Sequence, residues 1–417
     1  MTRTKQRPEI VVIGGGVVGA SIAYQLARQG EQVLVLERAL LGSGSTSRAA
    51  GLLGQLRSTE AATRMLMESL EIVTSLEREL DSEIFVKTGS LRLATTPERV
   101  HETEEHVRFG QSLGLDIRLL APDELRSKLP YARHDDVLAA SYCPTDGHLM
   151  PHELHDAFVR LARRHGAEFR PHAPVDDILV ENGRVRGVRC QGQRIEADRV
   201  VNAAGPWSYL IAECVGSTLQ TSAIGHTYLT TMPVADIAIE RESPAVRDYD
   251  HRIYSRPEAG GLLVGIYEAT PEIYHMEKLR DDFDMSALRV ARDNLSVALL
   301  REAAGHRFPF LNGRVRFQVT QGIMTFTPNG SPLCGELPDI AGLFHCSGFC
   351  GHGIVRSPAI GAIVADLVRT GQTHYDMAQL RADRYFDLPG YQDREDIITH
   401  GTASYAGHYG KMDPELN

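Results

Sequence analysis

The stretch "EIVVIGGGVVGASIAYQLARQGEQVLVLER" (9–38) constrains this chain more than any other. It reads in order as strand, glycine turn, helix and strand. Ile10–Ile13 form a short apolar run, Gly14-x-Gly16-x-x-Gly19 comes next, and Ala20, Ile22, Ala23, Leu26 and Ala27 share one helical face. Glycines at these spacings allow a tight turn, let a pyrophosphate approach the backbone and bring the helix close to the strand. The phosphates would then lie at the positive end of the helix. Glu37 ends the second strand, where a carboxylate accepts both ribose hydroxyls and repels a 2′-phosphate. The pattern predicts an α/β, Rossmann-like dinucleotide-binding domain, with NAD and FAD both open.

The segment beyond Glu37 separates the two cofactors. An NAD-binding domain continues with another strand and helix, whereas here the small-residue loop "GSGSTSRAAGLLGQLR" (42–57) intervenes. It leads into a helix with apolar positions Met65, Leu66, Leu70, Val73, Leu76 and Leu80. That order favours FAD.

At 417 residues the chain exceeds the roughly 250–300 that one core supports, so two domains around a cleft are expected. A net charge of -10 argues against nucleic acid or an anionic membrane as partner. No apolar stretch reaches the roughly 18 residues of a membrane span. The lead "MTRTKQRPEIVVIGGG" shows no cleavage pattern, so a cytoplasmic protein is expected. Its six cysteines lack a framework spacing and read as free thiols. Cys346 and Cys350 lie with two histidines in "HCSGFCGHG" (345–353), but the glycines between them suit a turn better than a metal cage, and no metal is expected.

The glycine triad, the "ER" strand end, "GSTSRAAGL", "KTGSLRLATT" (87–96), "PTDGHLMPHEL" (144–154), "VVNAAGPW" (200–207) and "GIMTFTPNGSPLCGELPDIAGLFHCSGFCGHGI" (322–354) occur in the order seen in D-amino-acid-oxidase-like flavoenzymes. The chain resembles most their dimethylglycine and sarcosine dehydrogenase branch, from residue 8 to about 375. The resemblance implies a glutathione-reductase-type FAD domain interleaved with an antiparallel-sheet α+β substrate domain. The FAD domain would comprise 1–85, 146–215 and 321–375, the substrate domain 86–145 and 216–320, and a tail 376–417. FAD contacts are implied for Gly14, Gly16, Val17 and Val18, for Glu37 and Arg38, and for Val175. Ala203, Ala204, Gly205 and Trp207 would make room for the ADP half.

In the resemblance, Gly44, Ser45, Thr46, Arg48, Ala49, Ala50, Gly51 and Leu52 run along the flavin ring. Many members of the branch hold the flavin covalently through a histidine where this chain has Arg48. A guanidinium stays protonated and is a poor nucleophile, so noncovalent FAD is expected. Arg48 then either stabilises an anionic reduced flavin or pairs with a surface carboxylate. Arg57 has a better claim to meet flavin or substrate. In "GFCGHGI" (348–354), Gly351, His352, Gly353 and Ile354 begin a helix whose N-terminus would face the flavin pyrimidine, unless His352 merely caps its own helix.

From about 216 to 320 the pattern changes to alternating strands: "IGHTYLTTMP" (224–233), "HRIYSRPEAGGLLVGIYE" (251–268) and "RVRFQVTQGIMTF" (314–326). His226 and Tyr228 share one face of their strand. The resemblance makes His226, Tyr254 and Tyr228 the catalytic candidates, binding a free amine while hydride passes from the carbon beside nitrogen to flavin N5. Glycine-oxidase-like relatives clamp a carboxylate with an arginine in the segment matching "GIMTFTP", where this chain has Met324. Arg252, Arg256 and Arg356 are the replacements to consider.

The expected activity is oxidation of an N-methylated or cyclic amino acid, with imine hydrolysis and with oxygen or an electron-transfer protein as acceptor. Two alternatives stand beside it: 2-hydroxy-acid oxidation on the same fold, and the flavin subunit of a hetero-oligomer. Oligomeric state is not specified by the sequence.

Overall fold

The structure, a computed structural model, describes residues 8–280, 282–285, 288, 290 and 294–409. Ile10–Ile13 lies inside a six-stranded sheet of order Leu333–Glu336, Leu343–Ser347, Arg199–Asn202, Ile10–Ile13, Val33–Leu36 and Glu168–Arg170. All neighbours run parallel except the Leu333–Glu336 edge. The two strands of the glycine motif are buried at every residue, as parallel strands covered on both faces must be.

Helix Val17–Ala27 packs between helices Pro151–Arg164 and Gly353–Thr370, which is why nearly its whole circumference is buried. Its crossing with Gly353–Thr370 is close. A Cβ on Gly361 would lie 2.1 Å from Ser21 Oγ, and that hydroxyl donates to the Ser357 carbonyl at 2.8 Å. Helix Glu60–Leu80, capped by Thr59, buries Met65, Leu66, Val73 and Leu76 and also packs on Gly353–Thr370. Leu70 and Leu80 are only partly buried.

The second sheet has nine strands. Its path runs Ile273–Tyr274, Ser222–Thr231, Gly261–Ile266, Ile253–Glu258, Ala245–Asp248, Ser90–Ala94, Ala139–Cys143 and Arg118–Leu119, with Phe317–Phe326 also paired to Ser222–Thr231. Pairing is antiparallel except between Ala245–Asp248 and Ser90–Ala94. Ala259 (φ 49°) and Gly260 (φ 76°) close the central hairpin, both left-handed as a two-residue turn matching strand twist requires. Across the sheet, Tyr228, Gly265, Tyr254, Arg247 and Arg92 stand in register on successive strands and so share a face.

Two boundaries differ from the sequence reading. Phe317–Phe326 pairs along its full length with Ser222–Thr231, so residues 321–326 belong to the nine-stranded sheet rather than to the six-stranded one. A continuous hydrogen-bonded ladder cannot be divided between two sheets. The expected tail is built into the fold. Helix Arg394–Ala406, capped by Asp393, lies on Ser222–Thr231 and Phe317–Phe326, and Ser222 Oγ donates to the Ile397 carbonyl at 2.9 Å. Residues 410–417 of that expected tail lie outside the described residues. Among the described residues, no helix is long and apolar enough to cross a membrane.

Candidate active site

A cavity of about 1140 Å³ runs from the carboxyl ends of Ile10–Ile13 and Val33–Leu36 to the face of the nine-stranded sheet. That exceeds the roughly 300–1,000 Å³ of a typical small-molecule pocket and suits a dinucleotide together with a second ligand. At the sheet end, Gly14 has φ 106°, and a Cβ there would lie 2.4 Å from the Ala203 carbonyl oxygen. Only glycine fits. Thr46, from the loop, accepts the Val17 amide at 3.0 Å, while the Val18 amide has no partner among the described residues and lies where the helix opens on the cavity. Glu37 is oriented by the Gly15 and Ala39 amides, each 2.8 Å from one carboxylate oxygen. Burial raises its pKa against those hydrogen bonds. Arg38 stacks on Trp207 at 4.5 Å, and Gly16, Val175, Ala204 and Gly205 complete this wall.

The 42–57 loop crosses the middle of the cavity. Ser45 donates to the Ile323 carbonyl at 2.6 Å, and Gly51, at φ 75°, approaches Leu149 so closely that a Cβ would lie 2.2 Å from its carbonyl oxygen. Gly44, Ala49, Ala50 and Leu52 also line the cavity. Arg48 lines it too, donating to the Met285 carbonyl at 3.2 Å, and it forms no ion pair with a surface carboxylate among the described residues. Gly322 makes room for it, since a Cβ there would lie 2.8 Å from Arg48 Cβ.

On the opposite wall, Gly351 (φ 79°) turns the chain into helix Gly353–Thr370. His352 occupies the N-cap without a side-chain cap bond, and its buried Nδ1 has no partner among the described residues, so it does not cap its own helix. The amides of Gly353, Ile354 and Val355 have no partners among the described residues, which leaves a helix N-terminus open toward the cavity. The neighbouring His345 and Cys346 turn elsewhere. His345 Nδ1 lies 3.0 Å from Asn202 Nδ2, and Cys346 Sγ faces Cys334 Sγ at 3.6 Å.

At the substrate end a chain of four side chains crosses the sheet. Tyr254 OH lies 2.8 Å from His226 Nε2, His226 Nδ1 lies 2.8 Å from Tyr405 OH, and Tyr405 donates to Glu268 Oε2 at 2.6 Å. Tyr254 reaches His226 across Gly265, where a Cβ would lie 2.2 Å from the tyrosine hydroxyl. Burial lowers the His226 pKa to about 3 and pushes both tyrosines well above their usual value. Burial also raises Glu268, opposed by its bond from Tyr405. With Glu268 ionised, the network is assigned in one direction. Tyr405 donates to the carboxylate, His226 donates from Nδ1 to Tyr405, and Tyr254 donates to His226 Nε2. The lone pairs of Tyr254 are left for the cavity.

Tyr228 is absent from the cavity wall. Its hydroxyl meets Thr320 on the neighbouring strand, and the ring belongs to a buried cluster against which Ala50 and Leu52 pack. Sharing a strand face with His226 was not enough, because the loop covers that part of the sheet. Tyr267 is on the wall instead, its ring 4.8 Å from His226 and 4.3 Å from His408. Arg252 and Arg256 are engaged structurally, the first with the Ala406 carbonyl and the second with the Ala50 carbonyl (2.6 Å) and Glu258. Arg356, Met324 and Arg57 line the cavity, joined by Arg247, which the sequence did not single out.

The FAD dependent oxidoreductase (DAO) family model matches residues 9–367, most of the chain. The chain belongs to this family. This FAD-dependent oxidoreductase is 30% identical over 398 residues to mitochondrial dimethylglycine dehydrogenase of Rattus norvegicus, covering 91% of the chain and 45% of that protein. To human mitochondrial sarcosine dehydrogenase it is 31% identical over 379 residues, covering 88% of the chain and 40% of that protein. The chain thus spans less than half the length of these relatives. Among solved structures, L-proline dehydrogenase from P. horikoshii superposes with a TM-score of 0.80 at 27% identity, covering 92% of this chain and 98% of that one. The glycine cradle that a Cβ would fill, the open helix N-termini and the oriented Glu37 fit an FAD held by residues of this enzyme.

Tyr405, Glu268, Tyr267 and Arg247 escaped the sequence reading. Glu268 and Tyr267 fall within a quoted hairpin but carry no motif, and Tyr405 lies in "ASYAGHYG", whose only signal is a concentration of aromatic residues near the end of the chain.

Proposed function

We propose that this flavoenzyme oxidises a small secondary or tertiary amine at the carbon beside nitrogen, and that Tyr254, His226, Tyr405 and Glu268 take up the amine's proton. The single observation that carries the reading is that hydrogen-bonded chain, which ends at the cavity in an acceptor and in the interior at a carboxylate. FAD, when bound, supplies the acceptor for the hydride.

A protonated amine cannot use its lone pair to stabilise the forming iminium, so the proton must leave first. Tyr254 accepts it as its own proton passes to His226 Nε2. His226 releases the Nδ1 proton to Tyr405, and Tyr405 gives its proton to Glu268. Each group ends with as many protons as it began with except the amine, which loses one, and Glu268, which gains it. Burial favours a neutral Glu268, as a proton sink in the interior requires. His226, with a pKa of about 3, remains an acceptor throughout the neutral range. Tyr267, its ring tilted against His226, and the apolar Met324 exclude water beside this end.

The named activities of the relatives and of the solved neighbour, on dimethylglycine, sarcosine and L-proline, support an N-methylated or cyclic amino acid as substrate. Arg48, at the position discussed for covalent attachment, supports noncovalent FAD, and acid precipitation should release the flavin into the supernatant. The test of the reaction is anaerobic bleaching of the flavin's visible absorption by N-methyl amino acids, cyclic amino acids, polyamines and 2-hydroxy acids. Bleaching by an amine family is expected; bleaching by hydroxy acids alone would sink the proposal.

A further inference from the structure

The substrate end of the cavity carries more positive charge than a monocarboxylate neutralises, and we propose that its substrate is an amine bearing two carboxylates, one held by Arg57 and the other by Arg247. This rests on the amine reading above and specifies the substrate class for the same site.

Arg57 enters from the 42–57 loop. Its Nη1 donates to the Leu56 carbonyl at 3.0 Å, but Nε and Nη2 are buried without a partner among the described residues. Arg247 rises from the sheet, on the strand next to Tyr254 and in register with it, so their backbones stand about 5 Å apart. Its guanidinium lies against Gly54, where a Cβ would be 3.1 Å from Nη1. Among the described residues the Arg247 guanidinium has no hydrogen bond or ion pair, and both arginines line the cavity.

The carboxylates around them are already engaged. Glu102 pairs with Arg99 at 2.7 Å and with Arg92 at 3.6 Å, Asp250 pairs with Arg99 at 3.2 Å, and Asp146 accepts from Ser90 at 2.6 Å and from Gln55. Two other buried arginines of this fold are held by carboxylates. Arg307 is held by Asp248 at 2.8 Å and Asp136 at 2.9 Å, and Arg256 by Glu258. Arg57 and Arg247 stand apart from those pairs, and Arg356, which lines the same cavity, has no side-chain hydrogen bond or ion pair among the described residues. Burial, Arg247 and Arg356 pull the Arg57 pKa down to about 9, and burial with Arg92, Arg57 and Arg247 holds His106 near 3, so the region is short of negative charge in the free enzyme. A ligand with one carboxylate leaves one guanidinium desolvated and unpaired, which costs more than the missing bond alone. Two carboxylates satisfy both through charge-assisted hydrogen bonds.

The holoenzyme provides the test. Acetate and succinate, which no amine oxidation consumes, are titrated against the bound flavin's visible spectrum. N-methylaspartate and iminodiacetate are compared with sarcosine and N-methylalanine in anaerobic flavin reduction. Succinate should bind about tenfold or more tighter than acetate, and the diacids should reduce the flavin at correspondingly lower concentration. Arg247→Gln should bring both ratios close to one, with flavin absorption per chain reporting that the variant folds. Equal affinities for acetate and succinate in the parent enzyme, or sarcosine reducing the flavin at concentrations as low as the diacids, would overturn the proposal while leaving amine oxidation standing. Tight succinate binding with no reduction by any amine would instead overturn the amine reading.

Discussion

The two ends of the cavity are built by opposite means. At the nucleotide end the work falls to backbone, with Gly14 against Ala203, open amides at helix starts, and a carboxylate held by the Gly15 and Ala39 amides within one stretch of chain. At the other end the proposed chemistry falls to side chains, and they come from far apart: Arg57 from a loop, Arg247 and Tyr254 from adjacent strands, Tyr405 from helix Arg394–Ala406. A backbone-made site tolerates almost no change of residue at its tight points. A side-chain-made site changes its chemistry while the fold stays intact.

Gly14→Val is the most damaging way to probe this difference. A side chain there meets the Ala203 carbonyl and must also adopt φ 106°, so the purified chain should show no flavin absorption. Retained flavin would remove the glycine cradle from the account. His226→Ala should do the reverse, slowing anaerobic flavin reduction by about 10²-fold or more while flavin per chain stays at the parent level. If the flavin left with the histidine, the two ends would not be separable.

Tyr405→Phe cuts the proton chain between His226 and Glu268. Reduction should slow about tenfold at neutral pH, with the acid limb of the rate profile moved to higher pH, because only amine already deprotonated in solution then reacts. A purely structural Tyr405 would leave that limb in place.

The smallest effect concerns acid stability. His226, His106 and His148 are held near 3 by burial, against 6.5 in the unfolded chain. Below pH 6.5 the unfolded state takes up protons that the native state refuses, so stability falls as pH drops from 6.5 toward 3. Thermal unfolding followed by flavin release should show a falling midpoint over that range, and His148→Gln, outside the cavity, should flatten it without altering reduction.

Legibility divided along the same line. Residues named for the nucleotide end, from Gly14 through Arg48 to Ile354, lie on the cavity wall because each belongs to a short motif whose local geometry depends on its own neighbours. Tyr228 shows where such reasoning stops. Alternation correctly puts it on the face of His226, yet the loop at Ala50 and Leu52 covers that part of the sheet, and nothing within the strand encodes this. Arg252 and Arg256, candidates in the sequence for a carboxylate anchor, are engaged by carbonyls at 406 and 50.

The sequence by itself determined the α/β nucleotide domain, the position of its glycine turn, the change to antiparallel strands and the family. These rest on local steric limits and on periodic burial, which neighbouring residues specify. Only the tertiary structure decided that Phe317–Phe326 lies wholly in the nine-stranded sheet, that helix Arg394–Ala406 completes the hydrogen-bonded chain through His226, and that the guanidinium groups of Arg57 and Arg247 face one cavity. Those outcomes depend on strand register and helix docking between residues far apart in the chain, 179 positions for His226 and Tyr405, where no local pattern can record which side chains will meet.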